Sequence, residues 1–304
     1  MFNILQYPFI QNAFLAGSVV AVAAGLLGYF LVVRGLTFAG HALSNIGFAG
    51  AAGAVLAGVH PVYGLLAFTV GASLAISLLG KEIRQRDIAI GVVMTFSLGM
   101  GILFLSLYHG YAEQAYSILF GTILGISRAD VLTSAVFSLA LIAILAVMAR
   151  PLLFSSFDAE VAEARGVPVR LVGAAFLVLT ALAISMAVQV VGVLLIFALL
   201  VGPAATAIRL TARPARAIAL AVGLGLAYTW LGILLAANST WPVSFFISML
   251  SFGVYLPVRL LSGRGWRRTL KAQPVSGIEQ TQLVKENQTE TSRIAEGEDK
   301  RTHG

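Results

Sequence analysis

The sequence contains no cysteine and few charged residues. Without cysteine the chain can form neither disulfide bonds nor thiolate metal sites. Charged residues make up 11% of the 304 positions and apolar residues 59%, whereas an ordinary soluble domain carries about 25% charged residues. Mean hydropathy is +0.92. A chain this apolar has too little polar surface to cover itself in water, so its composition predicts a membrane protein.

The sequence also lacks carboxylates inside its long apolar stretches. The acidic residues before position 272 number seven, and all of them fall between these stretches or at their ends. Proton- and sodium-coupled carriers usually place Asp or Glu within their spans. We therefore expect the energy for transport to come from a separate ATPase subunit on the cytoplasmic face. A carrier that binds its coupling ion through backbone carbonyls stays an alternative.

No residue pattern indicates catalysis or nucleotide binding by the chain itself. Gly80-Lys81 is followed by Glu82, and the sequence contains no GxxxxGK[ST] loop. The net charge of +7 could suggest nucleic acid, but the basic residues form short clusters between apolar runs, as membrane topology requires. We expect no enzyme activity, no cofactor bound by this chain and no nucleic-acid partner.

The apolar stretches predict an all-α, polytopic transmembrane bundle. A hydrocarbon core about 30 Å thick needs roughly 20 apolar residues as a helix. Nine stretches meet this requirement, at 11–33, 40–59, 61–80, 88–107, 130–149, 171–188, 190–208, 216–236 and 243–262. A further stretch, 116–126, is too short to cross and is predicted to be re-entrant. Residues 1–264 would then form the transmembrane domain, and the polar residues 265–304 a disordered cytoplasmic tail.

Basic residues predict the orientation of the bundle, because cytoplasmic connections are enriched in Lys and Arg. Fifteen Lys and Arg residues fall in the connections on one side, and Arg128 alone falls on the other. This bias places the C-terminus in the cytoplasm and predicts a multi-pass protein of the inner (plasma) membrane. Full crossing by 116–126 would put the basic clusters on opposite sides, so the charges favour re-entry.

One cytoplasmic connection contains the residues of a short, well-delimited helix. Asp158 is suited to the N-cap position, and Glu160 lies in the first turn, where the helix dipole favours negative charge. Arg165 lies in the last turn, and Gly166 is suited to the position that follows the helix end. The spacing predicts a two-turn helix over 159–165. It is either a docking element for a cytoplasmic ATPase or a capped loop lying on the membrane surface.

Four segments in order resemble those of one family. They are RGLTFAGHALSN at 34–45, LFGTIL at 119–124, FDAEVAEARGVPVR at 157–170 and VGVLLIFALLVGPAATA at 191–207. Gly- and Ala-rich runs of this kind are common singly, but four at suitable separations are specific. The chain resembles, along nearly all of residues 8–262, the permease subunits of metal-ion (zinc, manganese and iron) ABC importers.

The resemblance implies a transported divalent metal and a set of partners. A second permease copy in a homodimer, an ABC ATPase subunit and an extracytoplasmic metal-binding protein would complete the transporter within the lipid bilayer. The segment that contacts the ATPase in the family corresponds here to Asp158, Glu160, Val161, Glu163, Ala164, Arg165 and Gly166.

The resemblance is incomplete at two positions that bind metal in the family. Members commonly have Asp at the position of His41 and His at the position of Asn45, one turn apart on a helix face. Here the carboxylate is missing, and Asn is a poor ligand for a transition metal. His41, Ser44 and Asn45 are candidate pathway residues. Hydrogen bonding between helices is the alternative role for all three.

Two further features have both a functional and a structural interpretation. His109 and Glu113 lie on the predicted outer side and could accept metal from a binding protein, or they could belong to a solvated loop with interfacial tyrosines. Pro203 removes a helix hydrogen bond, so it is expected to kink or end the seventh span. That kink could shape a gate or be incidental.

Three other protein classes remain as alternatives to a metal-ion permease. ABC permeases for siderophores, haem and cobalamin transport whole chelates, which need no metal ligand in the pathway. A stand-alone secondary carrier is disfavoured by the absence of carboxylates from the spans. A structural or receptor-type membrane protein is disfavoured by the marked cytoplasmic helix and the many Gly and Pro breaks.

Overall fold

The computed structural model of the protein describes residues 7–79, 83–108, 121 and 125–262, and every long element in these ranges is a helix. In chain order the helices are α1 (Pro8–Val33), α2 (Thr37–Leu56), α3 (Pro61–Leu79), α4 (Ile83–Leu107), α5 (Arg128–Phe157), α6 (Ala159–Ala164), α7 (Val169–Val191), α8 (Val193–Leu210), α9 (Pro214–Ala237) and α10 (Val243–Ser262). The predicted all-α class is confirmed. The predicted tail, 265–304, and most of the predicted re-entrant segment, 116–126, lie outside the described residues.

Within these ranges, seven helices are long and apolar enough to cross a membrane: α1, α3, α4, α5, α7, α9 and α10. The expectation of about nine crossings is too high by this criterion, although each predicted stretch coincides with a long helix. α2 is long enough, but His41, Ser44 and Asn45 lower its hydropathy. Within α8, which begins directly after Gly192, the stretch that meets the hydropathy criterion among the described residues is Leu195–Leu210.

Proline and glycine mark several helix boundaries. Pro8, Pro61 and Pro214 occupy the first turns of α1, α3 and α9, where a missing N–H costs nothing and the fixed φ suits a helix. Gly35 and Gly166 follow the ends of α1 and α6 with φ of 66° and 83°. A residue with positive φ ends a helix readily when it is glycine.

Helices α1 and α7 form the centre of the bundle. In their apolar windows 67% and 61% of the residues are buried, against 17% to 33% in the other five crossing helices. α1 packs against α5, α8 and α9, α7 packs against α3 and α5, and α2 packs against α3 and α4. The outer helices therefore expose most of their apolar surface, as contact with lipid requires.

Glycine permits close helix approach at two places in the bundle. A Cβ at Gly28 would fall on the carbonyl oxygen of Leu200, so α1 and α8 meet backbone to backbone. A Cβ at Gly50 would likewise fall on the carbonyl oxygen of Gly64, between α2 and α3. Small residues at membrane-helix interfaces allow this kind of packing.

Buried hydroxyl groups add polar links between helices. The hydroxyls of Thr69 on α3 and Ser185 on α7 are 2.7 Å apart, and both residues are fully buried. Each hydroxyl oxygen also lies within 2.9 Å of a carbonyl oxygen of its own helix, and the two hydroxyl protons are shared among these contacts. Such bonds satisfy polar groups that would otherwise be costly at membrane depth.

Candidate functional site

Two of the predicted pathway residues lie together on one face of α2. The side-chain nitrogen of Asn45 donates to the backbone carbonyl of His41 at 2.9 Å and lies 3.3 Å from His41 Nε2. It is also 4.0 Å from the sulfur of Met94 on α4. The ring of Phe197 on α8 meets the His41 ring edge to face at 4.7 Å. These four side chains, from three helices, are called the His41 cluster below.

The two ring nitrogens of His41 differ in their hydrogen bonding. The Nδ1 atom is buried and has no hydrogen-bond partner among the described residues, although the residue as a whole is half-buried. When Nε2 accepts from the Asn45 amide, the ring proton lies on Nδ1.

The His41 cluster offers a thioether sulfur, a side-chain amide and the imidazole Nε2, which can bind a cation only after the Asn45 amide releases it; none of the three groups is a carboxylate. No group of three or more His, Cys, Asp or Glu residues that could hold a metal ion occurs in the described ranges. Hard divalent cations prefer oxygen ligands, whereas imidazole and thioether suit softer transition metals. The cluster is therefore suited to brief contact with a passing cation rather than to a resident metal.

Ser44 lies on α2 between the two polar residues of the His41 cluster. It is 1% exposed, and its hydroxyl donates to the carbonyl of Gly40 at 3.1 Å. This bond stays within α2, as is usual for serine in membrane helices. The hydrogen bond satisfies the hydroxyl without a neighbouring helix, and a pathway role for Ser44 stays a prediction.

A second polar feature is a cavity of about 300 Å³ where the end of α7 meets the starts of α3 and α5. Its polar lining consists of His60, Asp130, Thr133, Ser134 and Gln189, together with the sulfur-containing Met186. The Asp130 carboxylate accepts from the backbone and hydroxyl of Ser127 in a capping box. The alternation of the predicted spans puts His60 and Asp130 at the same membrane face, but no local sequence pattern connects these two residues with each other.

The predicted outer site at His109 and Glu113 lies outside the described residues. Pro203 is buried inside α8, and this helix continues past it to Leu210. The proline therefore does not end the helix. A gate at Pro203 stays a prediction.

The short helix predicted in the 150–170 connection is present as α6, from Ala159 to Ala164. Asp158 Oδ1 accepts from the backbone N–H of Val161 at 2.9 Å, which confirms the expected N-cap. At the other end, the N–H of Gly166 donates to the Glu163 carbonyl and that of Val167 to the Ala162 carbonyl. These two bonds close the helix in the manner of a Schellman motif.

The faces of α6 differ in exposure. Ala162 is fully buried and anchors the helix to the bundle. Glu160, Val161 and Glu163 are exposed, with Val161 at 43%. A short, doubly capped helix that presents two carboxylates and an apolar side chain to solvent is suited to docking a protein partner.

The described bundle, with polar side chains inside it and an exposed capped helix between two long helices, defines a polytopic membrane transport subunit. The sequence pattern of the ABC 3 transport family matches residues 6–262, and the chain belongs to this family. The resemblance inferred from the four segments is confirmed.

Several relatives share most of this chain. It is 31% identical over 232 residues to the manganese transport system membrane protein MntC of Listeria innocua, a match that covers 76% of this chain and 82% of MntC. It is also 31% identical over 203 residues to the manganese import system permease protein ScaB of Streptococcus parasanguinis, covering 66% of this chain and 72% of ScaB. The solved structure of PsaBC from Streptococcus pneumoniae in complex with Fab superposes with a TM-score of 0.76 at 28% identity, covering 84% of this chain and 92% of that one.

Proposed function

We propose that this chain is the membrane-spanning permease subunit of an ATP-driven importer of divalent transition metals, with manganese as the first candidate cargo. The observation that supports coupling to a separate ATPase is α6, whose exposed Glu160, Val161 and Glu163 stand between two long helices. Manganese is chosen because MntC and ScaB, both 31% identical to this chain, are named as manganese transport proteins.

The proposed orientation places α6 and the C-terminus in the cytoplasm of a cell with this protein in its plasma membrane. The excess of Lys and Arg on that side supports it. The proposed partners are an ABC ATPase docked at α6, an extracytoplasmic metal-binding protein at the opposite face and a second copy of the permease. The polar cavity at His60 and Asp130 would then open toward the metal-binding protein.

In this proposal the His41 cluster is a point that the metal ion passes. The His41 nitrogen and the Met94 sulfur would replace part of the ion's hydration shell as it crosses. Neutral ligands hold a dication less strongly than carboxylates do, which favours release over retention. His109 and Glu113 remain proposed outer ligands, and Pro203 remains a proposed gate residue.

A permease for metal chelates is the second candidate. It is favoured by one observation, namely that the His41 cluster contains no carboxylate. A chelate brings its own ligands, so its pathway requires no charged group to attract the bare ion. This candidate needs the same ATPase and the same docking role for α6.

Uptake by cells tests the proposed function. Cells that lack their own manganese importers would express this chain with an ABC ATPase of the same organism as its proposed partner. We expect uptake of radioactive manganese to require both proteins and to fall to background when residues 158–165 are replaced by a Gly/Ser linker. A linker of the same length in place of residues 280–287, in the C-terminal tail, is the control and should leave uptake unchanged.

Normal uptake with the 158–165 linker would overturn the coupling role. Uptake of a ferric siderophore but not of manganese would favour the chelate permease.

A further inference from the structure

Arg34, at the end of α1, reaches across the bundle to the end of α5. Its Nη1 atom donates to the hydroxyl of Ser155 at 2.8 Å and to that of Ser156 at 3.3 Å. The carbonyl oxygen of Leu152 lies 3.5 Å from the same nitrogen. These acceptors belong to the last two turns of α5, immediately before Asp158 caps α6.

The same guanidinium also contacts the helix on the other side of α6. Its Cζ atom lies 6.0 Å from the centroid of the Phe176 ring on α7, within the range of a cation–π contact. Its Nη2 atom is 3.5 Å from the position that a Cβ on Gly173 would take. Arg34 therefore touches both long helices that hold α6 between them.

The backbone of Arg34 lies close in the chain to α2, which contains His41 and is called the pathway helix below. Gly35 and the buried Leu36 are the only residues between Arg34 and Thr37, the first residue of α2. The N–H of Leu36 donates to the carbonyl of Leu31 at 2.8 Å, which ties this turn to α1. His41 follows one turn into α2, so a movement of Arg34 is transmitted over a short, bonded connection.

We propose that Arg34 is a positioning residue that couples the docking helix α6 to the pathway helix α2. This inference rests on the proposed function, in which an ATPase moves α6. A series of packed or bonded groups between two sites can carry energetic coupling. The Arg34 guanidinium belongs to such a series, because its Nη1 bonds to α5 and the same group contacts Phe176 and Gly173 on α7. A lysine ammonium is a point charge without that fork and cannot do both.

Transport and ATP hydrolysis measured together test this role. The full permease–ATPase complex is reconstituted in liposomes, and manganese transported per ATP hydrolysed is compared for wild type, Arg34→Gln and Arg34→Lys. We expect ATP hydrolysis to stay within about twofold of wild type, while transport per ATP falls about tenfold in Arg34→Gln and severalfold in Arg34→Lys. Arg150→Gln is the matched control, because Arg150 is exposed on α5, the helix to which Arg34 donates hydrogen bonds. This variant should keep the wild-type amount of manganese transported per ATP.

A variant of the acceptors checks the same contact without changing Arg34. Ser155→Ala combined with Ser156→Ala should lower transport per ATP in the same direction as Arg34→Gln, and adding Arg34→Gln should lower it little further. An unchanged ratio in both sets of variants would overturn the positioning role. So would a parallel loss of hydrolysis, transport and thermal stability, which indicates a purely structural residue. Failure of the wild-type complex to transport manganese with ATP would instead contradict the proposed function.

Discussion

The side-chain amide of Asn45 lies 3.3 Å from Nε2 of His41, one turn earlier on α2. The two residues occupy the positions at which the resemblance implies a carboxylate and a histidine. The structure keeps them adjacent, with the Asn45 amide held by the His41 carbonyl at 2.9 Å. The two side chains are thus adjacent on one face of α2, as residues one turn apart on a helix are, and neither of them is a carboxylate that would attract a dication.

Restoring a carboxylate is expected to strengthen binding of the cation. Asn45→Asp places a negative charge beside the His41 imidazole, so we expect the KM for manganese uptake to fall about threefold to tenfold. Maximal uptake should fall as well, because a tightly held ion leaves slowly. Uptake kinetics measure both quantities. Asn45→Ala, which adds no charge, is the control, and an Asn45→Asp variant with the same KM as Asn45→Ala would contradict the expectation.

His41 itself is expected to contribute to transport. His41→Ala removes the imidazole nitrogen from the His41 cluster and opens space beside Phe197, so we expect uptake to fall at least fivefold at normal expression. His303→Ala, in the C-terminal tail, is a matched histidine variant and should leave uptake unaltered. Full activity of His41→Ala would show that His41 is not a pathway ligand.

Capping of α6 is expected to matter for docking more than for folding. Asp158→Ala removes the acceptor of the Val161 N–H and should weaken this short helix by about 1 kcal/mol. We expect weaker binding of the ATPase, measured by co-purification, and at least a threefold drop in stimulated ATP hydrolysis. Ser127→Ala removes the equivalent cap of α5 at its other end and should leave ATPase binding intact. Equal loss of binding in the two variants would argue against a specific role for α6.

Close packing of α1 against α8 is expected to limit substitution at Gly28. A Cβ there would fall on the Leu200 carbonyl oxygen, so Gly28→Ala must push the helices apart, at a cost of about 1–3 kcal/mol. A lower midpoint of thermal unfolding in detergent would report this cost. Gly71→Ala on α3 is the control, because a Cβ there meets nothing within 4 Å. A Gly28→Ala protein as stable as Gly71→Ala would contradict the described contact.

Local chemistry allowed much of the helical framework to be predicted. Apolar runs of sufficient length predicted each long helix, because a membrane helix must satisfy its backbone internally. Asp158 and Gly166 predicted the ends of α6 because caps act over one turn. The number of crossings was overestimated because the length of an apolar run does not take account of polar residues within it. α2 has polar residues that face protein rather than lipid, which lowers its hydropathy.

Contacts between distant residues were not predictable in the same way. Met94 and Phe197 join His41 from two other helices, and no local pattern indicates which helices are neighbours. Arg34 shows the same limit. Its charge contributed to the prediction of orientation, but its bonds to Ser155 and Ser156 depend on how α1 and α5 pack.

The central claim, that this chain is an ATP-driven metal permease, is tested most directly in liposomes. The chain and its proposed partner ATPase are reconstituted with ATP enclosed in the lumen, and radioactive manganese is added outside together with the proposed metal-binding protein. We predict that manganese accumulates in the lumen, and that ADP in place of ATP, or omission of the ATPase, abolishes accumulation. Manganese accumulation that is equal without the ATPase, or that follows an imposed proton gradient instead of ATP, would contradict the account.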